Sequence, residues 1–267
     1  YMLEFSNLKM RVYKDRGSVL EGDKTISAIT KANPAVVTAT GHGYSNGDEV
    51  VISGVVGMTE VNGKRFLVAN KATNTFELTD KDGTNINSST FTTYTSGGVS
   101  NKVFEITTPY TTAQLFDLKF AQSADVMYIT HPEHEVEKLS RTAHTAWTLT
   151  DVDFTNGPYM DANITTTTLN PASHTVGTGV AVVASAVTGI NSGSGFLSTD
   201  VGRLLQFGTG YGKITAVADT LNITITIIED LGSATASANW SLGSFSDTTG
   251  HPSCVTFFEQ RLVFAGT

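Results

Sequence analysis

Apolar residues along this chain come in short runs separated by polar or glycine-containing breaks, the pattern of short strands rather than long helices. The clearest stretch is Phe116-Asp-Leu-Lys-Phe-Ala-Gln-Ser-Ala-Asp-Val-Met-Tyr-Ile-Thr-His-Pro132, two apolar runs parted by Gln122–Asp125. A polar break of that length predicts a hairpin, and Pro132, with no N–H to give a ladder, ends the second run. Val136–Arg141 makes a third run, and Trp147–Phe154 alternates large apolar with polar or small residues, the period of a half-buried strand. The stretch therefore predicts about four antiparallel strands in roughly forty residues, the size of one propeller blade. Phe120, Val126 and Tyr128 are its predicted core, and Gln122, Ser123 and Asp125 its turn.

Leu3–Tyr13 and Val255–Ala265 repeat the order apolar run, polar break, apolar run. They lie too far apart for adjacent blades. With two blocks of different texture removed, the spacing falls to roughly 40–55 residues, which suits a blade repeat. Any antiparallel β protein also produces such hairpins by chance, so both readings stand. The predicted fold class is all-β: a host β-propeller-like or irregular β domain fragment with two inserted small β-barrel or β-sandwich modules. The host is discontinuous, residues 1–25, 101–160 and 248–267, with Lys14–Gly17 as a turn and a helical turn within Pro109–Phe116. Residues 26–100 form the first insert, five or six short strands joined by Gly/Asn/Asp turns, with Phe66, Val68, Phe76 and Leu78 sharing its core by alternation. Residues 161–247 form the second, in which Gly212–Val217 and Asn222–Ile228 pair around Asp219-Thr220.

Composition sharpens this picture in three ways. Charged residues make up only 16% of 267 positions and Gly counts 25, a turn-rich β composition. The net charge of −8, with scattered basic residues, argues against a phosphate-gripping surface, which needs clustered Lys and Arg. One Cys excludes an internal disulfide framework, and Cys254, beside an apolar run, is expected to be a core residue. No run of about 18 apolar residues is present, so no membrane-spanning helix is expected. The strand-like first and last residues suggest a piece of a longer protein.

Candidate chemistry is sparse. His131-Pro-Glu-His-Glu-Val-Glu137 is the densest polar cluster, and His131, His134 and Glu135 are weak candidates for a divalent metal. Their spacing is not that of a helical zinc motif, so a solvated hairpin loop is expected instead, with no metal and no cofactor. Gly208–Thr215 lacks the first glycine and the final hydroxyl of a phosphate loop and is expected to be a strand-to-strand turn. Asp117, Asp125, Asp151 and Asp153 are the residue type of a paired-carboxylate hydrolase, but nothing in the sequence sets their separation.

Three stretches carry a family resemblance. Tyr1–Phe5 with Arg11–Asp15, Phe116–Pro132 with Lys138–Arg141, and His251–Gly266 resemble the tail nozzle family of short-tailed (podovirus) bacteriophages, also called tail tubular protein B. Gly41-His-Gly-Tyr, Gly47–Gly54, Val61-Asn-Gly and Thr75–Leu78 in the first insert resemble a module of phage tail proteins named after a ubiquitin-activating-enzyme half-domain. The name carries no chemistry over, since this block has no cysteine. Asp200-Val-Gly-Arg-Leu and Lys213–Val217 in the second insert also recur in such proteins. The resemblance implies a structural, non-enzymatic virion protein made in the bacterial host cytoplasm, part of the tube or nozzle of the DNA-ejection channel. Its implied partners are itself, as a hexameric ring in the family's manner, other tail and adaptor proteins, and DNA passing without specific binding. The rival expectations are a receptor- or glycan-binding module, with Trp240, Tyr44 or Tyr211 as stacking platforms, and a tail polysaccharide hydrolase.

Overall fold

A computed structural model describes residues 1–266. The chain is all-β, as the alternation predicts, with helix confined to single 3-10 turns such as Thr112–Gln114. It divides into two compact units, Tyr1–Thr112 with Thr142–Trp147, and Ala113–Arg141 with the chain from Thr148 onward. None of the helices of the described residues is long and apolar enough to cross a membrane.

In the first unit, Met2–Ser6 and Lys9–Lys14 form the expected hairpin, extended by Glu105–Thr107 on one side of Lys9–Lys14 and by the short Gly17–Ser18. Asp15 and Arg16 both take positive φ to make the tight turn between Lys14 and Gly17. The remainder is a seven-stranded antiparallel sheet running from Lys24–Thr25 through Ser96–Lys102, Glu49–Val56, Lys64–Ala69, Thr75–Thr79 and Val36–Thr38 to Ala28–Ile29. Phe66, Val68, Phe76 and Leu78 are all buried in its core with Val50, Ile52 and Met58. The Gly41-His-Gly-Tyr motif closes this core. Tyr44 N–H donates to His42 Nδ1 at 3.0 Å, which leaves Nε2–H to donate to the Ala72 carbonyl at 2.9 Å. The Tyr44 hydroxyl donates to Ser100 O, so the motif ties a loop to the last strand. Gly57 is required by packing, since a Cβ there would lie 2.2 Å from Thr93 O.

In the second unit, Lys119–Ser123, Val126–His131, His134–Ala143 and Ala146–Asp151 form a four-stranded meander in chain order. The first turn is Ala124–Asp125, with Arg141 bonded to Asp125 across it. The core expectation is corrected here. Phe120 is 45% exposed and Val126 and Tyr128 are only half-buried, whereas Leu118, Ile129, Val136 and Leu139 are buried. Lys119–Ser123 is an edge strand, so Phe120 lies at the margin of the face on which its partner Ile129 is fully covered. Tyr128 instead meets Phe257 and Phe264 of the hairpin Cys254–Phe258 and Arg261–Ala265 edge to face. Cys254 on that hairpin is exposed, against expectation, because a two-stranded ribbon covers only one of its faces.

The second block is a six-stranded antiparallel sheet, ordered Leu169–Pro171, Gly177–Ala184, Asn222–Glu229, Gly210–Val217, Leu204–Phe207 and Trp240–Leu242. Ile223, Ile225 and Ile227 alternate into one core with Ile214, Phe196 and Phe207. Asp219 caps the predicted turn, accepting from Leu221 N and Asn222 N. Phe207 and Gly210 pair directly, so of the Gly208–Thr215 stretch only Gly208-Thr209 is turn and the rest lies in the strand Gly210–Val217.

Candidate functional site

The polar residues singled out in the sequence gather on the meander. His131 is buried and its Nδ1 accepts from Glu133 N–H at 3.1 Å, closing the turn before His134. The His131 and His134 rings lie 5.1 Å apart, and His134 Nε2 is 3.0 Å from Gln114 Oε1. Desolvation, then the neighbouring His131, holds the His134 pKa below the ordinary imidazole value. His251 joins this cluster through its N–H to Pro132 O and its Nε2 to Asp247. The loop is thus packed rather than solvated. Among the described residues no group of three His, Cys, Asp or Glu side chains is arranged to hold a metal, and Glu135 points elsewhere, to within reach of Gly202.

Of the four aspartates, Asp125 is held by Arg141. Asp151 and Asp153 come together with Glu135 and Glu137. Val152 N–H donates to Val136 O at 2.7 Å, so strand alternation sets the two aspartates and the two glutamates on the same face. Glu137 is only 8% exposed, and its Oε2 has no hydrogen-bond partner. Burial, followed by repulsion from Asp151 and Glu135, raises its pKa to about 7. Lys213 Nζ reaches Asp153 at 2.9 Å. Burial works against the Lys213 ammonium, but Asp153, Glu135 and Asp151 together outweigh it and raise its pKa. A small cavity of about 50 Å³ beside Glu135, Asp153, Lys213 and His251 completes this corner. It is water-sized, and the buried Glu137 does not line it.

The larger opening is a cleft of about 520 Å³ in the second block, which the sequence reading did not find. Residues 160–165, the turn at Gly189–Ser192, Leu197 and Thr248-Thr249 line it, over Trp240 and Leu242. The 160–165 segment is laid along the strand Trp240–Leu242 by Met160 N–H to Leu242 O and Asn163 N–H to Trp240 O. Asn163 Nδ2 donates to three carbonyls, Thr165, Thr167 and Ala238, and its Oδ1 accepts from Thr165, so this wall is fixed. At Gly189 a Cβ would meet Asn163 Oδ1 at 2.9 Å, so only glycine lets the two walls close.

Behind the cleft lies a fully buried ion pair, Arg203 Nη1 to Asp200 Oδ1 at 2.9 Å. Desolvation lowers the Arg203 pKa, against the pull of Asp200. The guanidinium also donates to Asn191 Oδ1, Gly243 O and Met160 Sδ. Asp200 Oδ2 accepts from Asn191 Nδ2 and Leu197 N–H. These two residues are the Asp and Arg of Asp200-Val-Gly-Arg-Leu. Their i,i+3 opposite charges, set against Leu204-Leu205, were the available signal.

The proposed stacking platforms are corrected. Tyr44, Tyr211 and Trp240 are 4%, 6% and 3% exposed, and Trp240 Nε1–H donates to Thr167 O. The Tyr44 and Trp240 rings are spent on their modules' interiors, where a large apolar surface is buried and the polar tip is bonded.

Residues 32–103 match the family model of the ubiquitin-activating enzyme E1 FCCH domain. No curated protein matches the chain. Among solved structures, the phage phi92 endosialidase aligns at 14% identity and a TM-score of 0.22, over 97% of this chain and 48% of that one. This chain therefore spans about half the length of that structure, and at such a TM-score the likeness carries no argument.

Proposed function

We propose that this chain is a structural component of a bacteriophage tail, part of the tube or nozzle, with the 26–100 and 161–247 blocks as appended β modules. The observation that carries this reading is the family-model match over residues 32–103. It falls on the block whose Gly41-His-Gly-Tyr and Gly47–Gly54 motifs resemble a phage tail module, between segments that resemble the nozzle family. The charge distribution is compatible with a duct. The net charge is −8, and Arg11, Arg65, Lys102, Arg141 and Lys213 are each paired with a carboxylate, so the overall charge balance does not attract passing DNA.

In this reading identical subunits close into a ring, and function is mechanical. Sedimentation analysis of the purified full-length protein is expected to give a closed homo-oligomer of about six subunits. Gold-labelled antibody against the chain is expected to mark the tail of intact virions. A monomer that leaves virions unlabelled would sink the reading.

A further inference from the structure

We propose that the cleft of the second block is a binding site for a neutral saccharide. The Arg203–Asp200 pair is the starting point. Taking two charges out of water is costly, and apolar residues of similar volume often fill such a place with equal or greater stability. Here the other side-chain hydrogen bonds of the pair go to three lining residues, Asn191, Leu197 and Met160, and to Gly243, next to Leu242 of the floor. The pair therefore fixes the shape of an opening that the fold does not need. That is how a binding site is preorganised, by a buried polar network that holds its lining residues.

Strain at the rim points the same way. Asn191 and Ser192 are consecutive non-glycine residues in the left-handed region, at φ 45° and 57°. Such conformations are strained and persist where the surroundings impose them. They leave Ser192 exposed at the rim of the cleft.

The lining selects the ligand class. At about 520 Å³ the cleft falls within the range of small-molecule sites. Ser192 and Thr248 supply hydroxyls, and Ile164, at 97% exposure, and Leu197 supply apolar contact. Hydroxyl groups alternating with an apolar C–H face are the surface of a pyranose ring. The only charged lining residue is Asp161, and no Lys or Arg side chain lines the cleft. Arg203 itself is fully buried, with its donors turned into the wall. A phosphate, a nucleic acid or an acidic glycan would find no cation there and one carboxylate opposing it. The site stands apart from the tail assignment and is tested separately from it.

The test is a titration of the intact chain, isotopically labelled, followed by amide NMR. The probes are neutral oligosaccharides of hexoses, deoxyhexoses and N-acetylhexosamines, beside sialylated and uronic-acid-containing ones. At about 10 mM, enough to populate even a millimolar complex, at least one neutral oligosaccharide is expected to shift amides of 160–165 and 189–192. Ile164→Ser removes a side chain that lies in solvent, so the variant folds, and it is expected to weaken that binding about five- to tenfold. The proposal is overturned if no neutral oligosaccharide shifts these amides, if Ile164→Ser binds as the parent does, or if acidic glycans bind more tightly.

Discussion

Glu137 carries its carboxyl in a place that favours the proton. Its pKa rises from 4.5 to about 7 on folding, through burial first and then through Asp151 and Glu135. The folded chain therefore binds this proton more tightly than the unfolded chain. The stability contributed by protonated Glu137 is fully present below about pH 4.5 and is lost as pH rises through about 7. Glu137→Gln keeps the protonated shape at every pH. Urea unfolding is expected to show parent and variant alike near pH 4, and the variant more stable at pH 8 by on the order of 2–3 kcal/mol. Equal stabilities at pH 8 would mean that the carboxylate is solvated. His134 acts in the opposite sense, since its lowered pKa makes stability fall as pH drops below the ordinary imidazole value of 6.5.

At the scale of elements, the meander shows how strand position decides what a side chain is worth. Phe120 and Ile129 are direct cross-strand partners, yet one is 45% exposed and the other fully buried. The outer strand of a sheet is covered from fewer sides, so the larger residue contributes less. Ile129→Ala is expected to cost about 2–5 kcal/mol, through lost transfer energy plus a cavity. Phe120→Ala, with roughly half its surface already in water, is expected to cost about 1–2 kcal/mol. Chemical denaturation of the two variants gives the order directly, and a larger loss at Phe120 would contradict the edge-strand account.

At the scale of the molecule, the first β module is closed on itself by pairing at its ends. Lys24 and Thr25 pair with Ser100 and Val99, and the family-model match ends at residue 103. Its core is drawn wholly from residues between Ile26 and Tyr94. A fragment of residues 24–103 is therefore expected to be soluble and to give dispersed amide signals of β type. It gives up the pairing of Glu49 with Arg11, but keeps that of Glu49 with Arg65. Such part-exposed pairs contribute about 1 kcal/mol or less. A random-coil spectrum would mean that the module needs residues 1–23 to fold.

The sequence determined what depends on neighbours along the chain. Period-two alternation set Ile223, Ile225 and Ile227 on one face, and Phe66, Val68, Phe76 and Leu78 in one core. Local turn chemistry marked Lys14–Gly17 and Asp219-Thr220. Only the tertiary structure decided which strand is an edge, and so exposed Phe120 and Cys254 and covered Ile129. It also brought Asp151 and Asp153 to Glu135 and Glu137, because strand register is a pairing between distant segments and local spacing does not specify it. The cleft was invisible for the same reason. Its lining comes from residues 160–165, 189–197, 240–242 and 248–249, segments distant in sequence, and the Arg203–Asp200 pair behind it is buried only once they meet.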